Sequence, residues 1–130
     1  MILLRPGDVV AIFDGTTRPP KTKRIIAVSV GEGWFLRINT RSIWRPHLSM
    51  TVRANPGCIE HDSFIELRGL LDMDMAGLAE MLDRQEAAVI GRISAGTARS
   101  IIQAVQTTPT FRATEAARIA EDLRILAGIP

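Results

Sequence analysis

Two different hydrophobic periods divide this chain at about Gly69. Before that glycine, short segments rich in β-branched and aromatic residues alternate with turn-forming glycines and prolines, which is typical of β-strands. After it, apolar residues recur at helical spacing. A chain of 130 residues is long enough for one hydrophobic core. Strand segments followed by helical segments predict a mainly β fold with C-terminal helices, which belongs to the α+β class.

Four segments before Gly69 carry the strand signal, and they span residues 7–14, 24–30, 34–40 and 64–68. The first two are mostly apolar and end at glycines, which favours buried strands. In the third, WFLRINT, apolar and polar positions alternate. This period of two places Arg37 and Asn39 on the same face of the predicted strand.

Two stretches between these strands lack such a pattern. Residues 15–21 contain Pro19 and Pro20, which cannot donate ladder hydrogen bonds, so we predict a loop there. Residues 41–56 hold two prolines and no sustained period, and we predict a long loop with one short strand around residues 50–53. Long loops often carry functional residues.

The second half of the chain predicts helices. Residues 72–85 are expected to contain a short one. Ser94 is a good N-cap, and the apolar residues after it follow the spacing i, i+3, i+4, i+7: Ala98, Ile101, Ile102 and Val105. Pro109 ends this helix. We expect Thr114 to cap a last helix with the apolar stripe Ala116, Ile119, Ala120, Leu123 and Ala127.

Charge is divided unevenly along the chain. Residues 1–57 carry nine Lys and Arg against three Asp and Glu, a net charge of +6, whereas the remainder has a net charge of −4. A polyanion such as RNA would bind the first half, because neutralisation of phosphates dominates nucleic-acid affinity. The alternative is a solvated basic surface without a partner.

Composition bears on compartment and cofactors. The apolar runs are much shorter than the roughly 20 residues that a bilayer span needs, and the N-terminus, MILLRPGD, lacks the features of a secretory signal. A single cysteine, Cys58, cannot form an internal disulfide, and two histidines do not suggest a zinc site. We therefore expect a cytoplasmic protein with no membrane contact, no metal and no cofactor.

Several short motifs, in a consistent order, resemble the PemK/MazF family of toxins from toxin–antitoxin pairs. The family's opening motif resembles Gly7-Asp8-Val9-Val10, and its next strand resembles KRIIAVS at residues 23–29. Its D-S-V-V-x-L strand resembles DSFIEL at residues 62–67, and its I-G-x-L-S motif resembles IGRIS at residues 90–94. The resemblance covers about residues 5–107.

This resemblance implies a small SH3-like β-barrel of the PemK/MazF/CcdB type with a packed helix, occupying residues 1–107. Residues 108–130 would form a C-terminal helical extension. It also implies a homodimer, a cognate antitoxin protein as partner and an endoribonuclease that cleaves single-stranded mRNA. The family's Arg-Pro at the start of the second strand is Lys23-Arg24 here, so a lysine stands where the family has its catalytic arginine. Lysine supplies the charge without the bidentate fork.

Metal-independent cleavage by the 2′-hydroxyl needs a base, an acid and cations for the charge that develops at phosphorus. Histidine is the side chain best suited to acid–base work near neutral pH, so His61 is our candidate base or acid, with Asp62 to orient or replace it. Lys23 and Arg37 are the candidate catalytic cations. The alternative for the first pair is that His61 is a surface residue and that Asp62 caps a turn.

A second group of residues is predicted to bind the RNA. Side chains with phosphate-binding or base-binding chemistry cluster in the third strand and in the segments around it, and they are Lys21, Asn39, Thr40, Arg41, Trp44 and Arg45. Trp44 lies between two arginines and is expected to stack on an unpaired base. Its alternative is a place in the core.

Two other classes of function remain open from the sequence. One is a non-catalytic SH3-like binding module or a gyrase-poisoning toxin, because a fold does not determine an activity. The replacement of the family arginine by Lys23 favours this alternative. The other is a helical DNA-binding unit in residues 94–126, against which the acidic character of that half argues.

Overall fold

The computed structural model describes residues 3–16, 18 and 21–130 of the chain. These ranges hold seven β-strands and three α-helices, so the α+β class is confirmed. In chain order the elements are β1 (Asp8–Asp14), β2 (Lys21–Ser29), β3 (Trp34–Asn39), β4 (His47–Met50), β5 (Ser63–Glu66), β6 (Leu71–Asp72), α1 (Met75–Asp83), β7 (Ala87–Arg92), α2 (Ala95–Thr107) and α3 (Ala113–Leu123).

All seven strands form one sheet, in which neighbours pair antiparallel in the order β4-β5-β3-β2-β1-β7. The two-residue β6 shares an edge of β3 with β5 but lies at the opposite end: β5 pairs with Ile38 and Asn39, and β6 pairs with Trp34 and Phe35. Among the described residues β4 and β7 do not pair with each other, so the sheet is open and a closed barrel is not confirmed.

The strands of the first half differ from the predicted ones mainly at their ends. β2 begins at Lys21 rather than at residue 24. Within the predicted loop before it, Thr17, Pro19 and Pro20 lie outside the described residues. β4 ends at Met50, where a strand around residues 50–53 was expected. The chain turns there instead, because the amide N–H of Asn55 donates to the carbonyl of Thr51 over 3.1 Å.

The alternation of apolar side chains along the central strands builds a core on each face of the sheet. One face carries Val9, Ile26, Val28 and Leu36 and packs against α2 and α3. The other face carries Val10, Ile25, Ala27 and Phe35 and packs against α1. Both sets are fully or almost fully buried, which follows from the period of two in a sheet covered on both faces.

Helix α1 confirms the short helix that was expected within residues 72–85. This helix of nine residues buries only Leu78 and Leu82, which join the core cluster of that face. Next to it, the side chains of Lys21, Lys23 and Arg37 are exposed. The part of this face beyond α1 is therefore open.

Helix α2 begins as predicted, since the Ser94 hydroxyl accepts a hydrogen bond from the amide N–H of Thr97 over 3.1 Å. The four predicted apolar residues of this helix are buried. The start predicted for the last helix was wrong. α3 begins at Ala113, and the carboxylate of Glu115 accepts from the amide N–H of Arg112 over 2.8 Å, so Thr114 lies inside the helix.

The C-terminal segment packs against the same core as the strands. Ile119 and Leu123 are fully buried, in one cluster with residues of β1, β2, β3 and α2. The hydroxyl of Ser29 in β2 donates to the carboxylate of Asp122 in α3 over 2.6 Å. These contacts attach α3 to the sheet. The predicted domain boundary at residue 107 stays a prediction.

Candidate functional site

The open part of the sheet face beside α1 forms a groove of about 990 Å³. Its apolar floor is made by Ile12, Ile25, Leu71 and Met81. Seven of the residues with predicted functional roles line it: Lys21, Lys23, Arg37, Asn39, Thr40, Arg41 and Trp44. We call this surface the basic groove. It exists because β2 and β3 extend beyond α1 and point alternate side chains to that face.

Strand pairing brings the cations of the basic groove together. Arg37 is the register partner of Ile25, and Lys23 is the partner of Ile12, so both cations flank the apolar floor. The Lys23 ammonium lies 3.7 Å from the carboxylate of Asp14, and the Lys23 side chain is 67% exposed. An ion pair this exposed stabilises the fold little, so Lys23 retains its capacity to bind a phosphate.

Asp14 is the acidic residue at the β1 side of the groove. Hydrogen bonds from the Thr16 hydroxyl and amide, and then the positive charge of Lys23, lower the pKa of this carboxyl below its ordinary value of 3.8. It is therefore ionised at neutral pH and offsets one positive charge.

A side pocket of about 590 Å³ adjoins the basic groove. It shares Arg37, Asn39 and Trp44 with the groove and adds Glu66, Arg68, Gly69 and Leu70. The pocket lies where β5 has ended and β6 has not yet begun, so that part of the edge of β3 has no strand beside it. The side chain of Glu66 is only 10% exposed here.

Trp44 lies at the border between the groove and the side pocket and is 44% exposed, so it is not a core residue. The guanidinium carbon of Arg68 lies 5.1 Å from the centroid of the indole ring, which is a cation–π distance. An exposed aromatic ring among cations has the chemistry to stack on an unpaired base.

Three predicted site residues lie elsewhere. His61, Asp62 and Arg45 line neither the basic groove nor the side pocket. The Asp62 carboxylate accepts from the amide N–H of Val52 over 2.9 Å, which holds the turn after β4. The structure therefore brings Lys23 and Arg37 together but does not bring the predicted acid–base pair to them, and the roles of that pair stay predictions.

Sequence reasoning did not single out Glu66 or Arg68 as functional residues. The available signal was a glutamate in the apolar strand segment FIEL, on the same face as Phe64 by the period of two. His47, assigned to a loop, lies instead in β4 as the register partner of Glu66. Its ring contacts Phe64 at 4.6 Å between centroids, and its Nε2 is buried without a hydrogen-bond partner among the described residues.

Two searches of the described residues bear on metals and membranes. No group of three or more His, Cys, Asp and Glu side chains in the described ranges is arranged to hold a metal ion. Within the same ranges, every helix is too short or too polar to span a bilayer.

Comparison with known proteins identifies no relative. No protein-family model, no curated protein and no solved structure matches this chain.

Proposed function

We propose that this protein is an endoribonuclease that binds single-stranded RNA in the basic groove and cleaves it without a metal ion. The observation that carries the proposal is the convergence of Lys21, Lys23, Arg37 and Arg41 with the exposed Trp44 in one open groove. Cations bind the phosphates of an unpaired strand, and an aromatic ring stacks on its bases. A stretch of RNA a few nucleotides long fits this arrangement.

In this proposal the reaction is internal attack by the 2′-hydroxyl on the adjacent phosphorus. Arg37 and Lys23 offset the charge that develops on the phosphate oxygens. Asn39 is available for a hydrogen bond to a phosphate or a base edge. The products are a 2′,3′-cyclic phosphate and a free 5′-hydroxyl.

The sequence motifs further support a place for this ribonuclease in the PemK/MazF family, as the toxin of a toxin–antitoxin pair. An SH3-like core, pairing as a homodimer, belongs to the same proposal. The cognate antitoxin would then inhibit by laying an acidic segment into the basic groove, because it competes with RNA for the same cations.

A second candidate is a binding module without catalysis, including a toxin of the gyrase-poisoning type. The specific observation in its favour is the position of Asp62, whose carboxylate is engaged by the amide of Val52 outside the groove. A cationic groove without an acid–base pair would bind a polyanion and leave it intact.

Charge reversal tests the groove first. Arg37→Glu with Arg41→Glu should abolish RNA binding, measured by fluorescence anisotropy over a salt series. In the unmutated protein log Kobs should fall with log[salt] by about 0.7 per phosphate contacted, the value for single strands. Arg53→Glu with Arg84→Glu is the matched control, because both residues are exposed and line neither the groove nor the side pocket.

Product analysis then separates the two candidates. If the protein is a ribonuclease, cleavage should persist in chelator and should leave 2′,3′-cyclic phosphate ends. Binding that depends on Arg37 and Arg41 without any cleavage would favour the binding module. If both double variants bound RNA equally well, the basic groove would not be the RNA-binding site in either candidate function.

A further inference from the structure

Glu66 occupies an unusual position for a glutamate. It is the last residue of β5 and the register partner of His47 on β4, and its side chain, 10% exposed, lies near that of Arg37 on β3. Carboxylates are rarely buried unless paired, because removal from water disfavours the charged form. Such a residue needs an explanation in the packing or in the function.

The Glu66 carboxylate forms ion pairs with two arginines, both at long distances. One carboxylate oxygen lies 3.8 Å from a guanidinium nitrogen of Arg37, and the other lies 3.8 Å from a guanidinium nitrogen of Arg68. Both separations exceed a hydrogen-bond length. Among the described residues no side chain or amide donates a hydrogen bond to the carboxylate of Glu66, so lone pairs on both of its oxygens remain available to a ligand in the side pocket.

The surroundings of this carboxylate match the requirements of the proposed reaction. Arg37 and Arg68 flank it with two positive charges, which suits a phosphate undergoing attack. Trp44 lies at the mouth of the same pocket and would hold the adjacent base. From Lys23 on β2 to Glu66 on β5 the groove crosses two strand spacings, about 10 Å. The pocket and the groove thus form one continuous track for a strand of RNA.

We propose that Glu66 is the general base of the cleavage reaction, with Arg37 and Arg68 as the cations that hold the scissile phosphate. This inference rests on the proposed ribonuclease function. Glu66 takes the proton of the 2′-hydroxyl as the O2′–P bond forms and the P–O5′ bond breaks. The departing 5′-oxygen takes a proton from water, and Glu66 returns its own proton to solvent through the open pocket.

A purely structural role for Glu66 makes different predictions. If the carboxylate served only to hold two arginines in place, its amide analogue would loosen them and weaken RNA binding. If it is the base, the amide analogue removes a negative charge from the phosphate site and leaves binding unchanged or tighter. If Glu66 is the base, Glu66→Gln therefore lowers the cleavage rate without lowering the affinity for RNA. If the role of Glu66 is structural, the same variant lowers both.

The experiment measures both quantities on Glu66→Gln, Glu60→Gln and His61→Ala. Cleavage is followed with a short unstructured RNA, and affinity is measured with the same oligonucleotide carrying 2′-O-methyl groups, which cannot be cleaved. Glu66→Gln should lose about 10²- to 10⁴-fold in rate, the usual contribution of a general base, without loss of affinity. Glu60 is the matched control, because it pairs with Arg24 at 3.4 Å but lines neither the groove nor the pocket.

A second variant guards against misfolding. Glu66→Ala should be equally slow, and added formate should restore part of its rate by entering the vacated pocket, which no scaffolding role explains. Full activity in Glu66→Gln, or loss of rate only in His61→Ala, would overturn the assignment while leaving the ribonuclease intact. An unmutated protein that cleaves no RNA would overturn the proposed function, and the base assignment with it.

Discussion

Replacing Ile119 by alanine tests whether α3 is an integral part of the fold. Ile119 is completely buried in the cluster that joins α3 to α2 and to the sheet. The substitution removes three carbon atoms, worth roughly 2.4 kcal/mol at about 0.8 kcal/mol per buried methylene. The cavity left behind raises the expected loss to about 3–4 kcal/mol. That is a large part of the roughly 5–15 kcal/mol by which a domain is typically stable.

Urea unfolding followed by circular dichroism measures this loss as a shift in midpoint at unchanged slope. Ile125→Ala is the matched control, since Ile125 lies just beyond the end of the same helix but is 83% exposed. It should change the free energy of unfolding by no more than about 0.5 kcal/mol. Equal effects of the two substitutions would refute the packing of α3 against the sheet.

Three further predictions concern Trp44, Cys58 and the oligomeric state of the protein. Trp44→Ala should weaken single-stranded RNA binding by about 1–3 kcal/mol, the value of one base stack, whereas Trp44→Phe should retain most of the affinity; an unaffected Trp44→Ala would exclude stacking. Burial, and then the negative charge of Asp8, raise the pKa of the Cys58 thiol above 9.0, so it should stay neutral and react with a thiol reagent only in denaturant. The same shift favours the folded state below about pH 9 and is lost as pH rises above it. Light scattering should report a dimer at micromolar concentration, and a strictly monomeric mass would remove the homodimer from the proposal.

Local sequence patterns correctly predicted those elements whose formation depends on a single segment of the chain. The apolar runs around residues 7–14 and 24–30 became β1 and β2, and alternation in β3 placed Arg37 and Asn39 together. Ser94 began α2 because an N-cap acts within one turn. β7 was missed, since a short apolar run does not distinguish a strand from a helix until it has a partner, here β1.

The candidate site was likewise predicted in part from the sequence and in part not. The charge of the first half and the period of two predicted a basic surface with Lys23 and Arg37 on it, and both line the groove. The acid–base chemistry of His61 and Asp62 also suggested that they would join these cations, but the amide of Val52, after β4, engages the Asp62 carboxylate outside the groove. Neighbours along the chain carry no information about which residues of distant strands face each other.

The sequence by itself thus determined most of the strand and helix segments of this protein, the face on which its basic residues lie and the sign of its surface charge, because these properties depend on spacing along one segment. Only the tertiary structure decided that the sheet is open, that α1 leaves part of one face uncovered and that Glu66 lies between Arg37 and Arg68. The physical reason is register: the pairing of β3 with β5 joins segments that are distant in the chain, and shifting it by one residue would turn Glu66 to the opposite face.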